Sequence, residues 1–373
     1  MRLTLSSTVF CTKVQKIMSA MSSKNALPIL DCVLLTASKD NTLALMGGDA
    51  ESVLTDIMDA IVDFDGSIAL PAKMLSQALK ELSDQPITIS TNPNTMEVLI
   101  EYANNGRFSM VGQNPDDYPI LVEEAADNHA IFKGRELLAG LSAVAVTIAN
   151  DELRPQMNGV FVDVVTDDGE AFLVSSDGHA LSKWRIKVEC DEQQFNAIIP
   201  AKAVGVLRSI VKADEEVVMQ VGKSGVVFVC AGCRLRSKSV EGRYPNYNSV
   251  IPTSCTSSPT IERKPLISLL RRMAVFASSS NPLCRLEFVN DNLRVSVKDV
   301  DFSQSAEEDM PIENGGEGVV GMNLNMLLGI LSSINAKTIE VQYTSKETAV
   351  VLRSADEESD SDSLWLIMPL LID

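Results

Sequence analysis

Leu70-Pro71-Ala72-Lys73 opens a helical pattern, and a second copy, Ile199-Pro200-Ala201-Lys202, opens another 129 residues further on. Gly321-Met322-Asn323-Leu324 stands at the corresponding third position. Helices are expected from Pro71 through Leu82, from Pro200 to about Val211, and from Asn323 to Ile334. In the first of these, Met74, Leu75, Ala78, Leu79 and Leu82 form the apolar side, with Lys73 and Lys80 on the other. Each short helix is preceded by a longer one that keeps the same step. Phe10, Val14, Ile17, Met18 and Met21 recur at helical spacing on one face, with Lys13 and Lys16 off it. A further helix runs from about Lys133 to Ala149. Another covers 265–277, with Leu266, Leu269, Leu270, Met273 and Phe276 on one face.

Short β-type runs separated by turn residues lie between the helices, for example 32–36, 160–165, 172–175, 226–230 and 349–352. Two helices among roughly eight strands, in step three times, predict three α+β domains at 1–125, 126–255 and 256–373. The proposed boundaries are polar, at Glu123-Glu124-Ala125-Ala126-Asp127 and at 253–258.

Composition narrows the function classes. The chain has 373 residues, 45% of them hydrophobic, which is ample for sizeable cores. No apolar run approaches the roughly 18 residues that span a bilayer. The opening Met1-Arg2-Leu3-Thr4-Leu5-Ser6-Ser7 lacks the core of a signal peptide. Seven scattered cysteines, an odd number, suit free thiols in a reducing compartment. A soluble cytoplasmic protein without a membrane partner is expected.

The net charge of −18 argues at first against nucleic acid, whose binding depends on phosphate neutralisation. Its distribution changes the inference. The six helical segments with their flanks hold fourteen Lys or Arg and only three acids, so +11 sits on the helices and −29 on the remainder. Solvated helix faces favour Lys and Arg, but they favour Glu equally, and Glu is nearly missing there. Helices gathered on a basic inner face, with acidic sheets outside, would satisfy both numbers.

No catalytic constellation emerges. His129 and His179 have no Ser or Cys nucleophile in a recognisable elbow. Gly222-Lys223-Ser224 imitates the end of a P-loop, but Val217 stands where the earlier glycine is required. Cys230-Ala231-Gly232-Cys233 joins two β runs and reads as a hairpin turn rather than a zinc or redox site. The acid cluster at 354–360 reads as a solvated loop. Neither a cofactor nor a metal is expected.

Glu241-Gly242-Arg243-Tyr244-Pro245-Asn246-Tyr247-Asn248-Ser249-Val250-Ile251-Pro252 is nearly word for word the "(D/E)GR(F/Y)P-x-Y-x-x-V-(L/I)P" segment of one known family. Leu27-Pro28-Ile29-Leu30, Asn158-Gly159-Val160-Phe161, the run Ser176-Asp177-Gly178-His179-Ala180-Leu181 and the ending Leu366-Ile367-Met368-Pro369-Leu370 match it too, in order and over essentially the whole chain. On these motifs the chain resembles the bacterial DNA polymerase sliding clamp (β subunit) family.

The resemblance implies a non-enzymatic, head-to-tail homodimeric ring with helices lining the pore. Such a ring encircles double-stranded DNA without regard to sequence and tethers the replicative polymerase. It also implies a cleft that takes short linear motifs from the polymerase, the clamp loader, other polymerases and repair proteins. Carried over by position, that cleft is Met157, Ser176, Gly178, His179, Leu181, Pro245, Val250, Leu366, Met368, Pro369 and Leu370. The implied DNA contacts are Lys24, Lys73, Lys80, Arg154, Gln156 and Lys202. The implied dimer contacts are Phe108 and Met110 against Val275 and Phe276, with Arg107 and the Glu307-Glu308 pair adding charge complementarity. Ala180 and Ser249 replace two arginines of the family's cleft, and Leu371-Ile372-Asp373 replaces its terminal Arg-Leu, so a less basic cleft is expected. Pro155 and Gln156 replace two DNA-facing tyrosines. The competing reading is an accessory scaffold of the same ancestry that binds repair proteins without encircling DNA. A hydrolase or metal enzyme is disfavoured.

Overall fold

The computed structural model describes residues 1–119, 126, 128–165, 169–190, 194–223, 225–356 and 362–372. Six α-helices are present among them: α1 (Ser7–Met18), α2 (Ala72–Lys80), α3 (Gly134–Val144), α4 (Ala201–Ile210), α5 (Arg263–Ala274) and α6 (Leu324–Ser333). All six fall where the periodicity predicts them, with ends displaced by a few residues: α5 begins two residues before 265 and α3 ends five short of Ala149. The repeated corner has a clear cause. Pro71 and Pro200 each end a strand, and the helix starts at the next residue, so the proline's missing N–H falls ahead of the helix and removes no intrahelical bond. In the third copy Asn323 does the work instead, its side-chain oxygen accepting from the N–H groups of Asn325 and Met326.

Two side-chain assignments need correction. Met74 and Phe276 are grouped by spacing with the apolar residues of their helices, yet they do not pack with them and are 56% and 42% exposed. Met74 follows the strand-to-helix corner and precedes the buried pair Leu75 and Ser76, so it lies off the packed stripe. Phe276 stands beyond the C-terminus of α5, where helical spacing no longer holds. Met21 likewise lies past the end of α1 and is only half-buried.

The chain forms two compact units. The first comprises Met1–Arg135, Glu189–Asp191 and Lys202–Ser239. It holds a five-stranded sheet in the order Ile61–Phe64, Arg2–Ser6, Pro86–Thr91, Glu97–Tyr102, Gly106–Val111. Its second sheet has nine strands, including Asn128–Lys133, Gly225–Cys230, Cys233–Lys238, Ser52–Asp59, Thr42–Gly48 and Cys32–Ser38. α1 packs over this sheet through Phe10, Val14 and Ile17, and Gly47 admits it: a Cβ there would collide with the Ile17 side chain. Across the two-residue turn at Ala231 and Gly232, both at positive φ, Cys230 pairs with Cys233, which is the expected hairpin. All seven cysteines are free thiols.

The second unit comprises Glu136–Val188, Glu192–Ala201 and Val240–Asp373 and is built on one ten-stranded sheet. Its core gathers Leu266, Leu269, Leu270 and Met273 of α5, Leu327, Ile330 and Leu331 of α6, and Phe288 and Trp365 from the sheet. The Trp365 indole donates to the Ala143 carbonyl at 3.0 Å, tying the last strand to the end of α3.

Both large sheets cross the boundaries between sequence repeats. In the first unit, Cys233–Lys238 of the second repeat pairs antiparallel with Ser52–Asp59 of the first. In the second unit, Leu364–Ile367 of the third repeat pairs the same way with Ala180–Lys187 of the second. Each junction ends on the same hydrogen bond: Lys238 N–H to the Glu51 carbonyl at 2.8 Å, and Met368 N–H to the His179 carbonyl at 2.7 Å. The turn it meets is also the same device. Asp49, Asp177 and Asp299 each use Oδ1 to accept from the N–H groups two and three residues on.

Candidate functional site

The expected cleft residues all belong to the second unit, and its sheet orders them. Strand Ala180–Lys187 carries Leu181, which lies opposite Leu366 in the register, with Ala180 opposite Ile367. Leu181 and Leu366 are therefore interior: both join Val174, Ile198, Tyr244, Tyr247, Val351 and Leu364 in one buried cluster. They support a surface and offer little of it themselves. Met157 is buried as well. The exposed group is Gly178, His179, Pro245, Val250 and Met368, with Ser176, Pro369 and Leu370 half-buried.

The turn at Asp177-Gly178-His179 is tightly specified. Ser176 Oγ donates to the Ala180 carbonyl at 2.8 Å and accepts from Gly178 N–H at 3.1 Å. Gly178 has φ +91°, and a Cβ there would stand 2.7 Å from the Arg154 guanidinium. The positive φ calls for glycine here, whereas the guanidinium, at the end of a flexible side chain, could move aside. Arg154 in turn donates to Asp151 at 2.8 Å and reaches the Asp177 carbonyl, so it lies beside the turn.

Tyr244 and Tyr247 hold the stretch 241–252 down. Phe161 stacks on Tyr244 with ring centroids 4.7 Å apart, and the Tyr247 hydroxyl donates to Asp163 at 3.0 Å. Burial pushes both phenols well above their usual range. Anchored in this way, the short turn Tyr247–Val250 leaves Val250 at 53% exposure and Ser249 exposed beside it. Leu153, at 91% exposure in the loop preceding Arg154, was not singled out from the sequence. Its only sequence signal is an apolar residue between Glu152 and Arg154.

The charge pattern is more economical than the count suggested. Lys13 donates to Asp56 at 2.5 Å and Lys16 lies 3.3 Å from its other oxygen, with Asp56 wholly buried. Lys16 also touches Cys233 Sγ. Lys202 is bound to Asp49. Burial works against the Asp49 carboxylate, but Lys202 and the N–H groups of Glu51 and Ser52 outweigh it and hold its pKa below the usual range. Arg263 donates to the carbonyls of Ala336 and Leu331, and Arg272 pairs with Glu308. The division of +11 on helices from acid elsewhere is thus partly cancelled by local pairs, because helix cations reach acids on neighbouring sheets and turns. Lys24, Lys73 and Lys80 remain exposed, Gln156 is half-buried, and Lys202 is half-buried against Asp49.

The expected dimer contacts are also uneven. Phe108 and Met110 lie on Gly106–Val111, the edge of the five-stranded sheet, but Met110 is buried within its own chain. Val111 is 67% exposed on the same strand and was not named from the sequence. Val275 is 73% exposed next to Phe276. Glu307 and Glu308 were expected to serve a partner, yet they are engaged by Arg294 at 3.6 Å and by Arg272. Part of the acid cluster at 354–360, and most of the stretch 123–127, lie outside the described residues. Asp356 is described, and it accepts from the N–H groups of Lys337 and Thr338. No group of three or more His, Cys, Asp or Glu with metal-site geometry occurs among the described residues. No helix there is long and apolar enough to cross a membrane.

Comparison with known proteins gives a single answer. Family models described as DNA polymerase III beta subunit match in series: the N-terminal domain over residues 1–122, the central domain over 133–246 and the C-terminal domain over 248–370. A "Beta sliding clamp" from Synechocystis sp. is 29% identical over 355 residues, covering 89% of this chain and 90% of the relative. One from Synechococcus elongatus is 26% identical, with 96% of each covered. Among solved structures, the DnaN sliding clamp of Pseudomonas aeruginosa bound to griselimycin is similar with a TM-score of 0.92 at 23% identity, all of both chains being covered. The clamp of Bacillus subtilis has a TM-score of 0.92 at 21% identity over the full length of both.

Proposed function

Because this chain belongs to the DNA polymerase III beta subunit family, we propose that it is a sliding clamp, a non-catalytic ring that encircles duplex DNA and confers processivity on the replicative polymerase. Three domains, 1–125, 126–255 and 256–373, form each protomer, and two protomers close head to tail. The protein acts in the cytoplasm.

The observation that carries the ring is the repeated junction. Twice within the chain, the last strand of one repeat pairs with the strand that follows the Asp-capped turn of the repeat before it. The third turn, at Asp299, leads into the stretch 304–311, which among the described residues is paired on one side only, to 292–299. Gly106–Val111, the last strand of the first repeat, likewise has Glu97–Tyr102 as its sole described neighbour in the sheet. Two open edges of the same kind, one at each end of the series, are what a second copy would join. Such a junction is heterologous, and two of them close a ring. Val275 and Phe276, already exposed, would be covered there, together with Val111.

A ring needs little affinity for DNA. Topology holds it, while a few phosphate contacts from Lys24, Lys73, Lys80, Arg154, Gln156 and Lys202 leave it free to slide. Lys202 contributes less than its position suggests, since Asp49 already neutralises it. Polymerase, clamp loader and repair proteins dock through short motifs on the surface made by Gly178, His179, Pro245, Val250, Met368, Pro369 and Leu370, over a floor of Met157, Leu181 and Leu366. Ser176 fixes the turn. With Ala180 interior and Ser249 uncharged, that surface selects apolar anchors over acids.

The test of the ring is retention on DNA after loader treatment. The protein should stay on circular duplex and be lost when the circle is cut; equal loss from both would refute encirclement. The test of the docking surface is deletion of 368–373, which removes the Met368–His179 and Leu370–Gly321 backbone bonds and should abolish binding of a polymerase-derived peptide. Unchanged affinity would dismiss that surface.

A further inference from the structure

Several carboxylates of the first unit are met by cations, as Asp56 is by Lys13 and Lys16 and Asp49 by Lys202. Three others are not. Asp40, Asp59 and Asp84 line one cavity of about 750 Å³ together with Leu5, Ala60 and Ile61, and no Lys or Arg lines it. It lies where the strands Arg2–Ser6 and Ile61–Phe64 meet the turn between Cys32–Ser38 and Thr42–Gly48. The cations nearby in the chain are engaged by other acids. Lys39, next to Asp40, lies 3.8 Å from Asp65, and Arg2 lies 3.5 Å from Asp63.

The cavity's acids are held in place rather than neutralised. Thr42 donates to Asp40 Oδ1 at 2.7 Å, and Ser6 and Thr8 each donate to Asp84 Oδ1 at 3.0 Å. A hydroxyl donor fixes an oxygen but leaves the charge standing, and three like charges round one cavity favour a cation that enters it. They repel phosphate equally, so duplex DNA is not the occupant. The volume falls within the roughly 300–1,000 Å³ of ligand-sized sites.

The wall of the cavity adds apolar contact. Ile61 is 68% exposed there, and Phe64, further along the same strand, is 66% exposed. That strand is the end of its sheet, paired among the described residues with Arg2–Ser6 alone. A small amine would have no use for an exposed apolar edge, whereas an extended chain would. Asp63 and Asp65, on and beside the strand, turn away acidic chains.

We infer that this cavity docks an extended segment of a partner protein, which places a lysine or arginine among Asp40, Asp59 and Asp84 and an apolar side chain against Ile61. The site belongs to the first unit, whereas the surface assigned to polymerase motifs belongs to the second, so neither reading depends on the other.

The full-length protein can be titrated, at about 0.15 M salt, with a fluorescein-labelled octapeptide of alternating lysine and valine, read by anisotropy. Its glutamate-for-lysine counterpart and unlabelled spermine serve as comparisons. Wild type should bind the lysine peptide and not the glutamate one. Asp40→Asn with Asp59→Asn should weaken binding roughly three- to tenfold. Ile61→Ser should weaken it roughly fivefold or more and leave the mass by light scattering unchanged. Glu97→Gln, on the same sheet but outside the cavity, should bind as wild type does. The inference is overturned if wild type fails to bind the lysine peptide, or if Glu97→Gln weakens binding as much as the paired substitutions, which would mean general attraction to an acidic chain. Unchanged binding by Ile61→Ser, or spermine held as tightly as the peptide, would replace the protein segment with an organic cation. A fall in mass with Ile61→Ser would make this face a contact between copies.

Discussion

Asp56 is wholly buried at the register position facing Cys233, with the ammoniums of Lys13 and Lys16 on its two oxygens, so Asp56→Asn removes the charge and keeps the shape. Breaking a buried ion pair by losing one partner costs about 3–5 kcal/mol, mostly from the charge left behind. Here two cations are stranded, but their side chains retain 23% and 19% exposure, and each can swing partly into water. The expected loss is then about 2–3 kcal/mol, roughly a 30- to 150-fold fall in the ratio of folded to unfolded protein. Urea unfolding at pH 7, followed by circular dichroism, measures it. Adding Lys13→Met to Asp56→Asn removes one of the stranded cations and should restore about 1 kcal/mol, a coupling that independent surface sites would not show. A loss under about 0.5 kcal/mol would mean that the triad behaves as an ordinary surface pair, and the argument from its burial would fail.

Three further outcomes are expected. The Asp49 carboxyl titrates lower folded than unfolded, so its contribution is present above the unfolded value, near pH 4, and is lost as pH falls through the folded one. Stability of wild type should therefore drop more steeply than that of Asp49→Asn below about pH 4, and parallel curves in acid titrations would contradict the pairing with Lys202. Phe276→Asp places a charge on an exposed apolar contact and should halve the mass seen by light scattering at micromolar concentration; an unchanged mass would place the dimer contact elsewhere. Replacing Lys24, Lys73 and Lys80 together by alanine should reduce the salt dependence of DNA binding by a slope of roughly three, one per phosphate released. A slope like that of wild type would remove these lysines from the interface.

The helices were readable because their apolar spacing is local: Phe10, Val14 and Ile17 predict a buried face whatever it packs against. The Cys230–Cys233 hairpin was readable for the same reason, since Ala231-Gly232 between two β runs specifies a turn by itself. Met74 and Phe276 share the spacing of the packed residues but not their burial, because spacing alone does not say where a helix begins and stops packing. In the candidate cleft, the glycine and the prolines stood out as residue types. That Leu181 and Leu366 face each other in the interior, while Met368 and Val250 stay outside, depends on a strand register between segments far apart in the chain.

The ion pairs divide along the same line. A helix can be credited with lysines from the sequence, but Lys13 with Asp56 and Lys202 with Asp49 are encounters between elements that the chain order keeps apart. The repeat of Leu70-Pro71-Ala72-Lys73 established three copies of one α+β unit, because each copy encodes its own corner, periodicity and turns within a short span. How the copies join was a matter for the fold. An alternating strand satisfies its side chains through burial, but it leaves open which backbone will take its hydrogen bonds. Packing resolves that choice by carrying the sheets across the repeats, and among the described residues it leaves the strands at 106–111 and 304–311 with an edge to offer.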